Sequence, residues 1–502
     1  MDATLDDLVR GLARGHFTSA HLVQAYVARV AEVNDVFHAV IELGPDAEAI
    51  ARALDQERLE RGPRSALHGM PCLLKDNIVT LDKTQATCGS AALLGTAPAA
   101  EAGIATILRK AGAVLLGRTN LSEFAGFRGG QATGIFWPNM KASCSSTGSA
   151  ISVGLGLAFA SFGTETVSSL VSPSEKSCVV GLKPTRGLLP TDGMIPVSNR
   201  QDALGHIART VKDVAQILDV VVQFDPRPTA HYSKPTYAES CAAVDLQGVR
   251  IGVVEHPGQD IDQPKTNAFR ETHGMLTAAG ATILGGVRLG GLQEYDLLPQ
   301  RMKTIVLETE FKADMEAYIL SLTKNPRRIL TLKDLVDTIQ SEQLEEYPAR
   351  DVEMMLRALD TSKSAPDYTT MLRKEEYYAN SGGFEGAMDR HDCDVLIAPA
   401  GSLALQAFAA VGGNPAMSVP MGFYPEGTKI RRDEMRGGLV SVAPGIPFSL
   451  YLYGRRHGKS QLLRVPYVFE QLCGAQKRAK PYFLPETDLE DIVFSNRKAR
   501  HL

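Results

Sequence analysis

Residues 142–185 read ASCSSTGSAISVGLGLAFASFGTETVSSLVSPSEKSCVVGLKPT, and the fold turns on how that stretch is read. Its first part, residues 142–164, carries no charge and is long enough to suggest a membrane span. Six serines and four glycines within it are too polar for a hydrocarbon core. The run therefore belongs inside a protein, as a loop of small hydroxyl residues, a helix, and the buried strand LAFASFGTE at 157–165. Two clusters, 143–149 and 163–169, bracket that helix and strand. Serine and threonine beside glycine let backbone N–H groups face a pocket, which builds an oxyanion site without a charged side chain. The same residues are ordinary turn chemistry, so a pair of polar turns is the competing reading.

Outward from this stretch, short apolar runs alternate with helical periodicity. PCLLKDNIV (71–79), AVLLGRT (113–119) and VVGLKPT (179–185) read as buried strands, with the helix GIATILRKAG (103–112) among them. Such alternation predicts an α/β sheet. Upstream, a cap at Thr18 or Ser19 introduces apolar residues spaced for one helix face, ending near Asn34, and a second helical pattern covers 45–61. VRIGVVE (249–255) resumes the strand pattern after a proline-bearing excursion at about 225–245, holding Pro226, Pro228 and Pro235. Residues 300–390 turn helical and charged, a segment expected to cap the sheet. DVLIAPA (394–400) then returns as a strand, and a late helix around 459–472 contains Pro466, expected to kink it or delay its start.

With 502 residues the chain can bury a core large enough to shelter an active site. Lys+Arg total 53 against 57 Asp+Glu, a formal charge of −4, so no positive excess advertises nucleic acid. Seven scattered cysteines without a CxxC pair speak for reduced thiols, hence a cytoplasmic location, rather than disulfides or a zinc site. The N-terminal MDATLDDLVRGL is acidic and amphipathic, which predicts a helix and not a secretory signal. The basic end SNRKARHL is assigned no partner. GRRHGKS (454–460) has one residue too few between its glycines for a phosphate loop. His391, Asp392, Cys393 and Asp394 alternate faces at a strand entry, so all four cannot close on one metal. There is no GxSxG elbow.

GMPCLLKDN (69–77), GRTNLSEFAGFRG (117–129), SSTGSA (145–150), GTETVSSLVSP (163–173), VVGLKPTRGLLPTDGMIPVS (179–198) and RTVKDVAQIL (209–218) follow one another as they do in the amidase signature family, which this chain resembles. In style the segments are nearest those of peptide amidases and of fungal and bacterial relatives. The resemblance implies one domain over 1–502: N-terminal helices packing on the body (about 1–62), the core motifs (about 63–225) and a helical insert (about 300–390). The fold it implies is α/β, a central mixed twisted sheet with helices on both faces. It also implies a Ser, cis-Ser, Lys triad. Ser169 is then the nucleophile, Ser145 the relay and Lys75 the base, with the Cys144–Ser145 bond cis and the oxyanion held by backbone N–H groups of Thr166, Val167, Ser168 and Ser169. Lysine among Cys72, Leu73 and Leu74 is desolvated, so its pKa should fall toward the working range. A pairing of Lys75 with Asp76 is disfavoured because adjacent strand residues face opposite ways.

The expected reaction is hydrolysis of a neutral small-molecule or peptide amide, with no metal, no organic cofactor, no nucleic acid and no membrane span, by a monomer or homodimer. Where relatives prefer glycine or another fixed residue, this chain has Cys144, Thr147, Val167, Ser168, Ser177 and Cys178. Side chains at Val167 and Ser168 restrict backbone angles on which oxyanion donors depend. The alternative is therefore a diverged protein performing acyl transfer or condensation in small-molecule biosynthesis, or a catalytically impaired binding homologue. A subunit of a transamidation complex is disfavoured by the same changes and by the helical insert. Val171 stands where relatives often carry a basic residue, which argues against an anionic substrate. Phe124, Phe127, Phe136, Trp137, Met140 and Met194 are read as core rather than as an acyl pocket. Glu175 and Lys176 are either a surface adjustment or a pocket charge.

Overall fold

A computed structural model describes residues 3–129, 133–227, 237–256, 261–434, 437–458 and 461–499, the side chains of 497–499 excepted. Pro228 and Pro235 of the excursion, Lys459 and Ser460 of GRRHGKS, and the end of the basic tail lie outside the described residues. Among them one mixed sheet of eleven strands runs through the molecule, flanked by helices. Numbered in chain order, the strands are β1 Val40–Leu43, β2 Pro71–Lys75, β3 Val114–Thr119, β4 Ala160–Glu165, β5 Val180–Lys183, β6 Ala203–Ala208, β7 Arg250–Val254, β8 Thr282–Val287, β9 Val395–Ala398, β10 Ala416–Phe423 and β11 Pro447–Gly454. Their order across the sheet is β1-β3-β2-β4-β6-β5-β10-β11-β9-β7-β8. β2 pairs in parallel with both β3 and β4, whereas β4, β6, β5, β10, β11 and β9 pair antiparallel in succession. The strands that read as continuous apolar runs, β2, β3, β4 and β5, are buried along their whole length, as expected for a sheet covered on both sides.

The uncharged run of 142–164 supplies the helix Thr147–Gly154 and strand β4, both in the core. Among the described residues no helix is long and apolar enough to cross a membrane. Thr18 caps the helix Ser19–Phe37 with a reciprocal contact to His21, and that helix runs three residues past Asn34. The late helix Gln461–Cys473 runs through Pro466. The strand expected at 249–255 forms as β7, and the one at 394–400 as β9. Strand β6, in QDALGHIART, joins β4 to β5 and was not foreseen.

The helical segment beyond Gln300 packs on the body through a buried ion cluster. Arg128, whose side chain is fully buried, contacts both Glu123 and Glu345, the latter from the short turn Gln343–Glu345. Glu345 also accepts from Ser90 Oγ at 2.5 Å and from the Ala92 amide at 2.9 Å. The aromatic residues considered above belong to the core. Phe127 stacks on Phe311 of the helix Gln300–Leu320 with centroids 4.0 Å apart, and Phe136 packs against Phe423. Glu175 and Lys176 are neither surface nor open pocket: they pair at 2.9 Å with the carboxylate buried.

Candidate active site

β2 and β4 lie side by side in parallel and end at Lys75 and Glu165, so the chain leaving them converges at the carboxyl ends of adjacent strands, where α/β proteins place their sites. The loop before the helix Thr147–Gly154 crosses this end. Gly148 lets it do so: a Cβ there would stand 2.3 Å from Ala39 O and 2.6 Å from the Asn120 amide nitrogen.

Lys75 is fully buried, and its Nζ has four oxygens within reach: Ser145 Oγ at 2.7 Å, Ser146 Oγ at 3.0 Å, Thr164 Oγ1 at 3.0 Å and Thr164 O at 3.2 Å. Burial holds its pKa down at about 8, and the nearest anionic groups only partly oppose that effect. A neutral amine has two N–H donors and one lone pair, so one of these hydroxyls can donate into the nitrogen. The shortest contact, with Ser145, is the natural one for that exchange. Asp76 points elsewhere, as expected: its Oδ2 accepts from the Thr87 amide and hydroxyl and from the Gly89 amide, at 2.7 to 3.2 Å.

Ser169 lies in the turn between β4 and the helix Val171–Lys176 and is 7% exposed. Its carbonyl accepts from the Ser146 amide at 3.1 Å, which ties the two serine clusters together. Lys75, Ser145 and Ser169 are thus gathered at one place. The hydroxyls of Ser145 and Ser169 are not hydrogen-bonded to each other among the described residues.

The amides of Thr166, Val167, Ser168 and Ser169 donate no hydrogen bond to any described group, whereas the next two are pinned. Glu165 Oε2 accepts from Leu170 N at 2.7 Å and from Val171 N at 3.1 Å. On the other side, Asp202 Oδ1 accepts from Thr166 Oγ1 at 2.5 Å, and its Oδ2 accepts from the Val197 and Ser198 amides. Burial pushes the Asp202 carboxyl up to about 6. Burial also raises Glu165, opposed first by Lys183 and then by the two amides. Ser146, Thr164 and Glu165 stand inside the two clusters that the sequence singles out, without an individual role there; Asp202 is not among the residues the sequence pointed to. Glu165 and Thr164 stand inside the quoted GTET, but Asp202 meets its partner from 36 residues away.

One expectation is corrected. The Cys144–Ser145 bond is not cis; the cis bond among the described residues is Tyr347–Pro348. The loop turns instead through left-handed residues, Ser143 at φ 69° and Cys144 at φ 49°, which spares it the cost of a non-proline cis bond. Ser168 (φ 67°) and Cys178 (φ 55°) are also left-handed, so these side chains occupy a backbone conformation that favours glycine. Val167 is not left-handed. His391, Asp392, Cys393 and Asp394 also disperse. Asp392 ends a helix in the left-handed region, Cys393 is buried, and Asp394 accepts from the Arg250 amide at 2.8 Å.

The class of protein to which this sheet and site belong is given by the comparisons with known proteins. The family model described as Amidase matches residues 21–412. A putative amidase of Arthroderma benhamiae is 35% identical over 98% of this chain and 89% of its own length. A probable amidase of Arabidopsis thaliana is 32% identical over 95% of this chain and 91% of its own. The solved structure of native peptide amidase from Stenotrophomonas maltophilia superposes with a TM-score of 0.81 at 31% identity, covering 97% of this chain and 99% of that one. The chain belongs to the amidase signature family. It is an amide hydrolase, acting on carbon–nitrogen bonds other than peptide bonds.

Proposed function

We propose that the chain hydrolyses neutral small-molecule or peptide amides by a serine mechanism in which Ser169 is acylated, Ser145 relays protons and Lys75 is the base. The observation that carries this reading is the 2.7 Å contact between a fully buried Lys75 amine and Ser145, beside a turn whose four amides are unengaged. Lys75, neutral above about pH 8, draws a proton through Ser145 from Ser169. The Ser169 oxygen bonds to the acyl carbon, and the amides of Thr166 to Ser169 receive the negative charge that develops on the carbonyl oxygen. The C–N bond then breaks, and the departing amine takes the proton held by Ser145 and Lys75. Water, deprotonated by the same pair, adds to the ester, whose C–O bond breaks as the proton returns through Ser145 to the Ser169 oxygen, releasing the carboxylic acid and restoring Ser169 and the neutral amine.

The left-handed backbone at Ser168 supports hydrolysis over a merely binding role, because that serine keeps a conformation that glycine favours. Seven free cysteines fit a reducing, cytoplasmic setting for this reaction. Amine release from a panel of neutral amides tests the proposal. Wild type should turn over at least one of them, with Ser169→Ala lower by about 10³-fold or more. Equal rates for the two proteins would remove Ser169 from the mechanism.

A further inference from the structure

Beside the amide turn lies a cavity of about 720 Å³, a volume suited to a small organic ligand. It meets the site at Val167, which carries one of the unengaged amides, and at Gln201, the neighbour of Asp202; Lys75, Ser145 and Ser169 do not line it. A carbonyl held by the amides at the Val167 end of the turn therefore carries its acyl group into this cavity. Its nitrogen falls toward Ser145, where Lys75, Ser145 and Ser146 are almost wholly buried, which favours a small leaving amine.

The cavity wall is aromatic. Tyr295, Tyr378 and Phe408 pack on one another with centroids 4.9 to 5.9 Å apart, the Tyr295 pairs being edge-on, and Leu307 and Ala407 face the same space from the helices Gln300–Leu320 and Leu403–Gly412. Edge and face contacts of this kind favour a further ring. The charges on the wall are already engaged. Glu375 pairs with Arg200, Asp296 with His256 at 2.8 Å, and Lys303 donates to Asp296 O at 2.9 Å while lying 5.3 Å over the Tyr295 ring.

Building on the proposed mechanism, we infer that the substrates are primary amides whose acyl group is uncharged and bears an aromatic ring, seated in this cavity, with ammonia leaving on the Ser145 side. Three amides with the same reacting group test it: propanamide, 3-phenylpropanamide and succinamate, which differ only in hydrogen, phenyl or carboxylate at the third carbon. The phenyl compound should exceed propanamide in kcat/KM by about 10-fold or more, with succinamate below both. Ala407→Phe, or Leu307→Trp from the facing helix should the first variant not fold, should lower the ratio of phenyl to propanamide kcat/KM by about tenfold, mainly through KM. Turnover of propanamide without preference for phenyl, or a preference for succinamate, would overturn the pocket assignment and leave the hydrolase standing. Failure on all three by protein that still takes up a serine-directed fluorophosphonate overturns it equally. Failure on all three without that adduct overturns the serine mechanism itself.

Discussion

Lys75 sets the pH at which this site can work. An ammonium cannot accept a proton, so kcat/KM should rise with pH toward a plateau, with an apparent pKa of about 8, and fall about tenfold per unit below it. A flat profile between pH 6 and 9 would contradict the assignment of Lys75 as base. Lys75→Met keeps the length of the side chain and removes the amine, so it should cost about 10³-fold or more in kcat. Lys75, Ser145 and Ser169 could be singled out as candidates in the sequence because each sits in a contiguous motif. The conformation of Cys144 was not. Motif style implied a cis bond, while the loop found another solution in two consecutive left-handed residues. Left-handed backbone costs a non-glycine residue roughly 1–2 kcal/mol, so Ser168→Gly should leave the melting temperature unchanged or raise it.

The turn from β4 into the helix Val171–Lys176 is closed by the side chain of its own first residue. With Glu165 holding the Leu170 and Val171 amides, the four preceding amides are left unengaged among the described residues. Glu165→Ala frees both and should lower kcat by about 10²-fold with little change in KM, whereas Glu165→Gln retains one accepting oxygen and should recover most of the rate. Equal loss in the two variants would mean that the carboxylate's charge, not its grip on the backbone, matters. Strands β2, β3 and β4 were readable because burial on both faces makes them continuous apolar runs. β6 was not, since ALGHIA includes glycine and histidine and becomes a strand only by pairing with β4 and β5.

At the scale of the molecule, the helical segment both walls the cavity and depends on the buried Arg128 cluster, which no local pattern in the sequence announced. Burial pushes the Glu123 carboxyl up to about 8, so the folded chain keeps a proton that the unfolded chain releases near pH 4.5. Unfolding between those values sheds a proton, and raising the pH through that window therefore removes stability. The melting temperature should drop between pH 6 and 8.5, and Glu123→Gln should flatten that drop. Removing Glu345 leaves Arg128 with less compensation in the interior, so Glu345→Ala should destabilise the fold by about 3–5 kcal/mol in denaturant titration.

Ser169 as the acylated residue is tested most directly by intact mass after incubation with a serine-directed fluorophosphonate, followed by peptide mapping. Wild type should gain one adduct, located on the peptide that carries Ser169, while Ser169→Ala and Lys75→Met should gain none. A folded wild type that stays unmodified, or an adduct mapped to another serine, would contradict the account.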